Sequence, residues 1–135
     1  MDRKKPNKFI IAAAVLAGIL LILLAAFRWQ TNCAKTEVLS YTASDGTHKL
    51  IIYMIGDPDW PFGSTHCRFD LYEGNKRIVK YSFNIADDGA NARDDNFTIT
   101  EGSGGITVAV YGSEQGAETY ILNYDGTVEF VINAH

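Results

Sequence analysis

The stretch RIVKYSFNI, residues 77–85, decides the fold. Val79, Tyr81, Phe83 and Ile85 alternate with Ile78, Lys80, Ser82 and Asn84, so a pleated strand would turn one dry row inward and one mostly wet row outward. The same period of two runs through its neighbours. Cys67, Phe69 and Leu71 alternate with His66, Arg68, Asp70 and Tyr72, and Ile106, Val108 and Val110 alternate with Thr107, Ala109 and Tyr111. The segment LIIYMI, residues 50–55, is apolar on both rows, which predicts a central place in its sheet with cover on both sides. Strands are expected near 37–43, 48–55, 65–72, 77–85, 96–100, 106–111, 118–124 and 128–133. About 100 residues suffice for one domain with a single core. The expectation is an all-β domain over 37–135, an antiparallel β-sandwich of seven or eight strands, immunoglobulin-like or C2-like.

Between the strands the connections are of two kinds. Residues 44–47, 73–76, 101–105 and 125–126 read as tight turns rich in Gly, Asp and Asn, whereas 56–64, 86–95 and 112–117 read as longer loops. The two kinds alternate. In an antiparallel sandwich every strand crosses from one end to the other, so all tight turns share one end and all long loops the opposite one. The first strand runs from the preceding segment toward a tight turn, which places the long loops beside whatever precedes residue 37.

What precedes it is FIIAAAVLAGILLILLAAF, residues 9–27, without a charge. As a helix it spans about 28 Å, close to the roughly 30 Å hydrocarbon core of a bilayer, with its peptide groups satisfied internally. Residues 1–8 carry Arg3, Lys4, Lys5 and Lys8 against Asp2, and Arg28 and Lys35 follow the run. That bias predicts a cytoplasmic tail over 1–8, a single-pass membrane helix over 9–27, a linker over 28–36 and an extracytoplasmic domain. A cleaved secretory signal shares the basic start, but its apolar region is usually about 7–15 residues. Cuts after Ala25 or Ala26 would also put Leu23 or Leu24 where a small residue is needed. A retained signal-anchor fits better, with Arg28 and Trp29 at headgroup level. Cys33 follows Gln30, Thr31 and Asn32, which does not make a lipoprotein cleavage site.

Residues 31–135 hold seven cations against fifteen acids, a net charge of −8. Simple attraction to nucleic acid or to an anionic membrane is thereby excluded. Cys33 and Cys67 admit two readings, a disulfide that ties the linker to the sheet or two free thiols with Cys67 packed inside.

Asp57, Asp59, Asp87 and Asp88 belong to the long loops, with Asp94, Asp95 and Glu114 beside them. Carboxylates from separate loops can hold Ca²⁺, a hard cation that takes six to eight oxygens, although no contiguous calcium loop with a closing Glu is present. Solvated turn formers are the alternative. Asp57 through Gly63, DPDWPFG, is stiffened by two prolines and presents Trp60 and Phe62. They would either cap the open end of the core or face outward as an anchor for a partner or the bilayer interface. Of the three histidines, His48, His66 and His135, the first two open adjacent strands at opposite ends, roughly 17–20 Å apart, which excludes a paired-histidine site. Ser64 lacks a nucleophile elbow, and Gly102, Gly104 and Gly105 precede a strand, so neither a serine hydrolase nor a phosphate loop is indicated. Asn96-Phe97-Thr98 matches a glycosylation sequon, relevant only in a eukaryotic secretory pathway.

The segments IYMIGDPDWPFG (52–63), FNIADDGANA (83–92) and YGSEQ (111–115) resemble small uncharacterised proteins of Gram-positive bacteria (Firmicutes), each a membrane segment or signal followed by one short β domain. The resemblance covers most of 48–124. It implies an extracytoplasmic location and supplies no activity, ligand or catalytic residue.

The reading is therefore a non-enzymatic, membrane-anchored interaction module. Its contact surface lies at the long-loop end, around Trp60, Phe62, Asp57 and Asp59, and its partner is another membrane or cell-envelope component. A Ca²⁺-dependent module and a cell-envelope hydrolase are the alternatives.

Overall fold

The computed structural model describes residues 4, 5 and 7–132. Asp2, Arg3 and His135, and position 133 of the last expected strand, lie outside them. The apolar run forms α1, Lys8–Asn32, whose N-cap Asn7 accepts from the Phe9 amide at 3.2 Å. The most apolar window of α1 is covered by no other part of the chain, which distinguishes it from the core helix of a soluble domain. A helix apolar all round and unsheathed by protein has lipid as its natural surrounding. Its length and hydropathy suit a membrane span, and this supports a membrane anchor.

The expected linker is largely absorbed into α1. With no Pro or Gly between Arg28 and Asn32, the helix runs on, and Cys33 and Ala34 both donate to the Trp29 carbonyl (2.8 and 2.9 Å) as it ends. Strand β1, Lys35–Thr42, begins at once.

Seven more strands follow: β2, His48–Ile55; β3, Thr65–Glu73; β4, Lys76–Ile85; β5, Phe97–Glu101; β6, Gly105–Gly112; β7, Gln115–Asn123; and β8, Val128–Ile132. A 3-10 turn, Asp94–Asn96, leads into β5. Every pairing is antiparallel, and the strands make two sheets, β1-β2-β3-β4 and β5-β6-β7-β8. The eight-stranded sandwich stands as read. Its connectivity is simpler than an immunoglobulin-like or C2-like one, because each sheet is a plain meander of consecutive strands and none is exchanged between sheets. The reason is local: within each sheet the connections are short enough for chain neighbours to pair.

The two inner faces meet in one core. Leu50, Ile52, Phe69, Leu71, Val79, Phe83 and Ile85 come from the first sheet, and Ile106, Val108, Val110, Tyr120 and Leu122 from the second. Phe69 lies 4.1 Å from Phe83 between ring centroids and 5.4 Å from Tyr120 across the sandwich; Phe97 meets Phe83 edge-on. β2 holds an inner position in its sheet, but only Leu50, Ile52 and Met54 are buried, while Ile51, Tyr53 and Ile55 are half-buried on the outer face.

Asp70 departs from expectation. It sits on the outer face of β3 yet is 0% exposed, because Arg68 folds over it with two bonds of 2.8 Å and Arg77 closes in at 3.5 Å.

The ends sort as the strand count demands. At the tight-turn end Glu101 accepts from Tyr41 (2.6 Å) and from the amide and hydroxyl of Ser44, and His48 stacks on Tyr124 at 3.6 Å. At the opposite end Gly89 donates to Gly63, Ser113 to the Asp87 carboxylate and Glu114 to Ala86. The connection expected over 112–117 is shorter than read, since β6 and β7 extend to Gly112 and Gln115 and leave a two-residue hairpin, Ser113-Glu114.

Candidate functional site

The loop over 56–64 is built against the end of α1. Gly56 donates to Ala34 at 2.7 Å and Asp57 to Thr31 at 2.6 Å, so the loop satisfies a carbonyl of the last helical turn and one just beyond the helix cap. Gly56 is left-handed (φ 67°), and a Cβ there would overlap the Thr31 carbonyl and the Asn32 backbone. Only glycine allows so close an approach.

Beyond it the loop closes on itself. Asp59 donates to Ser64 at 3.1 Å and Gly63 to Asp59 at 2.7 Å, leaving Trp60, cis-Pro61 and Phe62 at the tip. Gly89 (φ 74°) supports that tip from the next loop, its amide bonded to Gly63 and its backbone so placed that a Cβ there would press on Pro61 and Phe62. The tip does not cap the core. Trp60 is 92% exposed and Phe62 69%, against the ordinary tendency of such aromatics to fold inward. Two prolines and a ring of backbone bonds hold them outward.

His66 ties the loop to the sheet. Its Nε2 faces the Asp59 carboxylate at 3.0 Å and its Nδ1 faces the Asn84 amide oxygen at 2.7 Å. Oxygens against both ring nitrogens favour the doubly protonated imidazolium. The Asp59 bond first, then the Asn84 bond, raises its pKa above the usual histidine value.

A cavity of about 440 Å³ opens where loop and helix meet, lined by Phe27, Thr31 and Asn32 of α1 and by residues 57–60. Asp57, Asp59 and Trp60 thus share one site, and Phe62 stands beside it.

The calcium arrangement is not what the four aspartates form. Asp59 is turned to His66, and Asp87 accepts from the Ser113 amide, which lowers its pKa. Asp88 adopts a left-handed backbone (φ 52°), a turn-forming role that Asp tolerates. Among the described residues no group of three or more His, Cys, Asp or Glu converges as a metal site. Of the two cysteine readings, the structure holds the free thiols and not the disulfide. Cys33 is exposed beside the helix end, whereas Cys67 points into the core, where burial pushes its thiol up to about 12; both are free.

Sequence reasoning missed Thr31 and His66 as members of this site. A glycine directly before Asp57-Pro58 was a signal for close backbone approach, but nothing in the order of residues marks Thr31 as the acceptor.

The fold and site together define a β-sandwich of two meanders, bonded at its long-loop end to an apolar helix long enough to cross a membrane. Comparison of the chain with protein-family models, curated proteins and solved structures finds no match.

Proposed function

We propose that this chain is a non-enzymatic binding module, held at the outer face of a cell membrane by α1 with its N-terminus cytoplasmic and its sandwich extracytoplasmic. Its contact surface is the long-loop end, and its partner is a membrane or envelope component reached at the membrane surface. The observation that carries this reading is the pair Trp60 and Phe62, exposed on a braced loop bonded to the end of α1. Aromatic side chains already held rigid lose little entropy on contact and contribute large apolar area. The basic flank before α1, with Lys4, Lys5 and Lys8, supports the orientation.

The test is photocrosslinking from position 60 in intact cells. A discrete adduct that depends on Phe62 is the expected result. Absence of any adduct, together with an unchanged pull-down from solubilised envelope for Trp60→Ala, would remove the reading.

A further inference from the structure

We infer that the loop end docks on the bilayer that holds α1, with Trp60 and Phe62 seated in its headgroup layer; this rests on the loop-end contact proposed above and names lipid as its partner. Depth is the first argument. Trp60 lines the same cavity as Phe27 and Thr31. Phe27 ends the apolar run, and Thr31 lies four residues further, about 6 Å along the helix axis. The interfacial layer on each side of a bilayer is roughly 5–7 Å thick, the difference between the whole membrane and its hydrocarbon core. The tip therefore reaches back along α1 to the slab in which tryptophan is most at ease.

The distribution of apolar surface is the second argument. Outside α1 the exposed large hydrophobic side chains among the described residues are Trp60, Phe62, Tyr111, Phe130, Val131 and Ile132. Tyr111 stands next to the β6–β7 hairpin, and β8 runs toward the loop end, with Ile132 paired to Glu118 near the start of β7. The exposed greasy surface of the sandwich thus lies at the end where α1 leaves it or on a strand leading there. Continuity with the helix selects the occupant. The loop is hydrogen-bonded to α1 through Asp57 and Thr31, and only Cys33 and Ala34 separate helix from strand, so the domain has little room to lift away. Charge plays no attractive part, because Asp57, Asp59, Asp87 and Asp88 crowd the same end. Docking is by aromatic insertion, and zwitterionic lipid is enough for it.

The experiment uses the full chain with Trp29→Phe, which leaves Trp60 as the one tryptophan of the two, placed in phosphatidylcholine nanodiscs. Lipids brominated near the top of the acyl chains are compared with lipids brominated near the tail ends, and aqueous iodide is the opposing quencher. Loss of Trp60 emission to the upper bromines, greater than to the lower ones, with protection from iodide, is the expected result. Phe62→Asp should restore part of the lost emission. Trp60 untouched by bromine overturns lipid docking, whether iodide reaches it or not. In that event a protein adduct from position 60 in cells would preserve the broader contact reading, and no adduct, together with an unchanged pull-down for Trp60→Ala, would end both.

Discussion

The amide of Asp57 donates to the carbonyl of Thr31 at 2.6 Å, joining the loop that carries Trp60 to the last turn of the apolar helix. A helix end offers carbonyls with no partner of their own, and here the loop over 56–64 supplies one. The domain is thereby braced against its anchor instead of hanging from a flexible tether.

Gly56→Val should break this brace, since the side chain would meet the Thr31 carbonyl and the residue would be forced to hold a positive φ. A cost of about 1–3 kcal/mol is expected. Hydrogen exchange checks it: the Asp57 amide should exchange faster while amides of β3 and β6 keep their protection, and unchanged Asp57 protection would contradict the brace.

The His66 clamp makes a pH prediction. Its folded pKa is raised above the unfolded value of about 6.5, so its stabilising contribution is full below that value and fades as pH rises through the folded pKa. The thermal midpoint of the wild-type chain should exceed that of His66→Asn more at pH 6 than at pH 9. Asp59→Asn should lower the imidazole pKa measured by NMR titration. Equal midpoint gaps at both pH values would argue against the clamp.

Phe69 is fully buried, stacked on Phe83 and edge-on to Tyr120 at the seam of the two sheets. Phe69→Ala should cost about 3–5 kcal/mol in urea unfolding, through lost transfer energy and the cavity left behind. A loss under about 1 kcal/mol would mean that the sheets do not meet there.

Asp70 is a buried carboxylate bonded twice by Arg68, so Asp70→Ala leaves a shielded guanidinium without its acceptor and should cost about 3 kcal/mol. The double change Asp70→Leu with Arg68→Met should recover most of that loss, because an apolar pair of similar volume carries no charge to desolvate. Urea denaturation of the wild type, Asp70→Ala and the double variant checks both expectations.

The two thiols differ in reach. An impermeant maleimide added to intact cells should label Cys33, which is exposed just past the helix, and spare Cys67 until the chain is denatured. Labelling of Cys33 only after the cells are opened would reverse the proposed orientation.

Much of the fold was legible because strand alternation is a one-dimensional pattern. Val79, Phe83 and Ile85 had to share a face whatever surrounded them, and eight strands in alternation had to gather 56–64 and 86–95 at one end. The charge-free run from Phe9 to Phe27 likewise dictated a helix long enough for a membrane, since length and hydropathy alone make that case. The strand order was less legible, because period-two patterning says which face is dry and nothing about which strand lies next to which.

Tertiary structure alone decided the site. That Trp60 and Phe62 point outward follows from backbone bonds between Asp59, Gly63, Ser64 and Gly89, contacts that span two loops and leave no local pattern. The burial of Asp70 on an outer face depends on Arg68 and Arg77, the second supplied by the neighbouring strand. The brace between Asp57 and Thr31 joins residues 26 positions apart through one short backbone bond. Pattern along a chain records which groups avoid water; which of them meet is set only when the folded backbone brings distant donors and acceptors within reach.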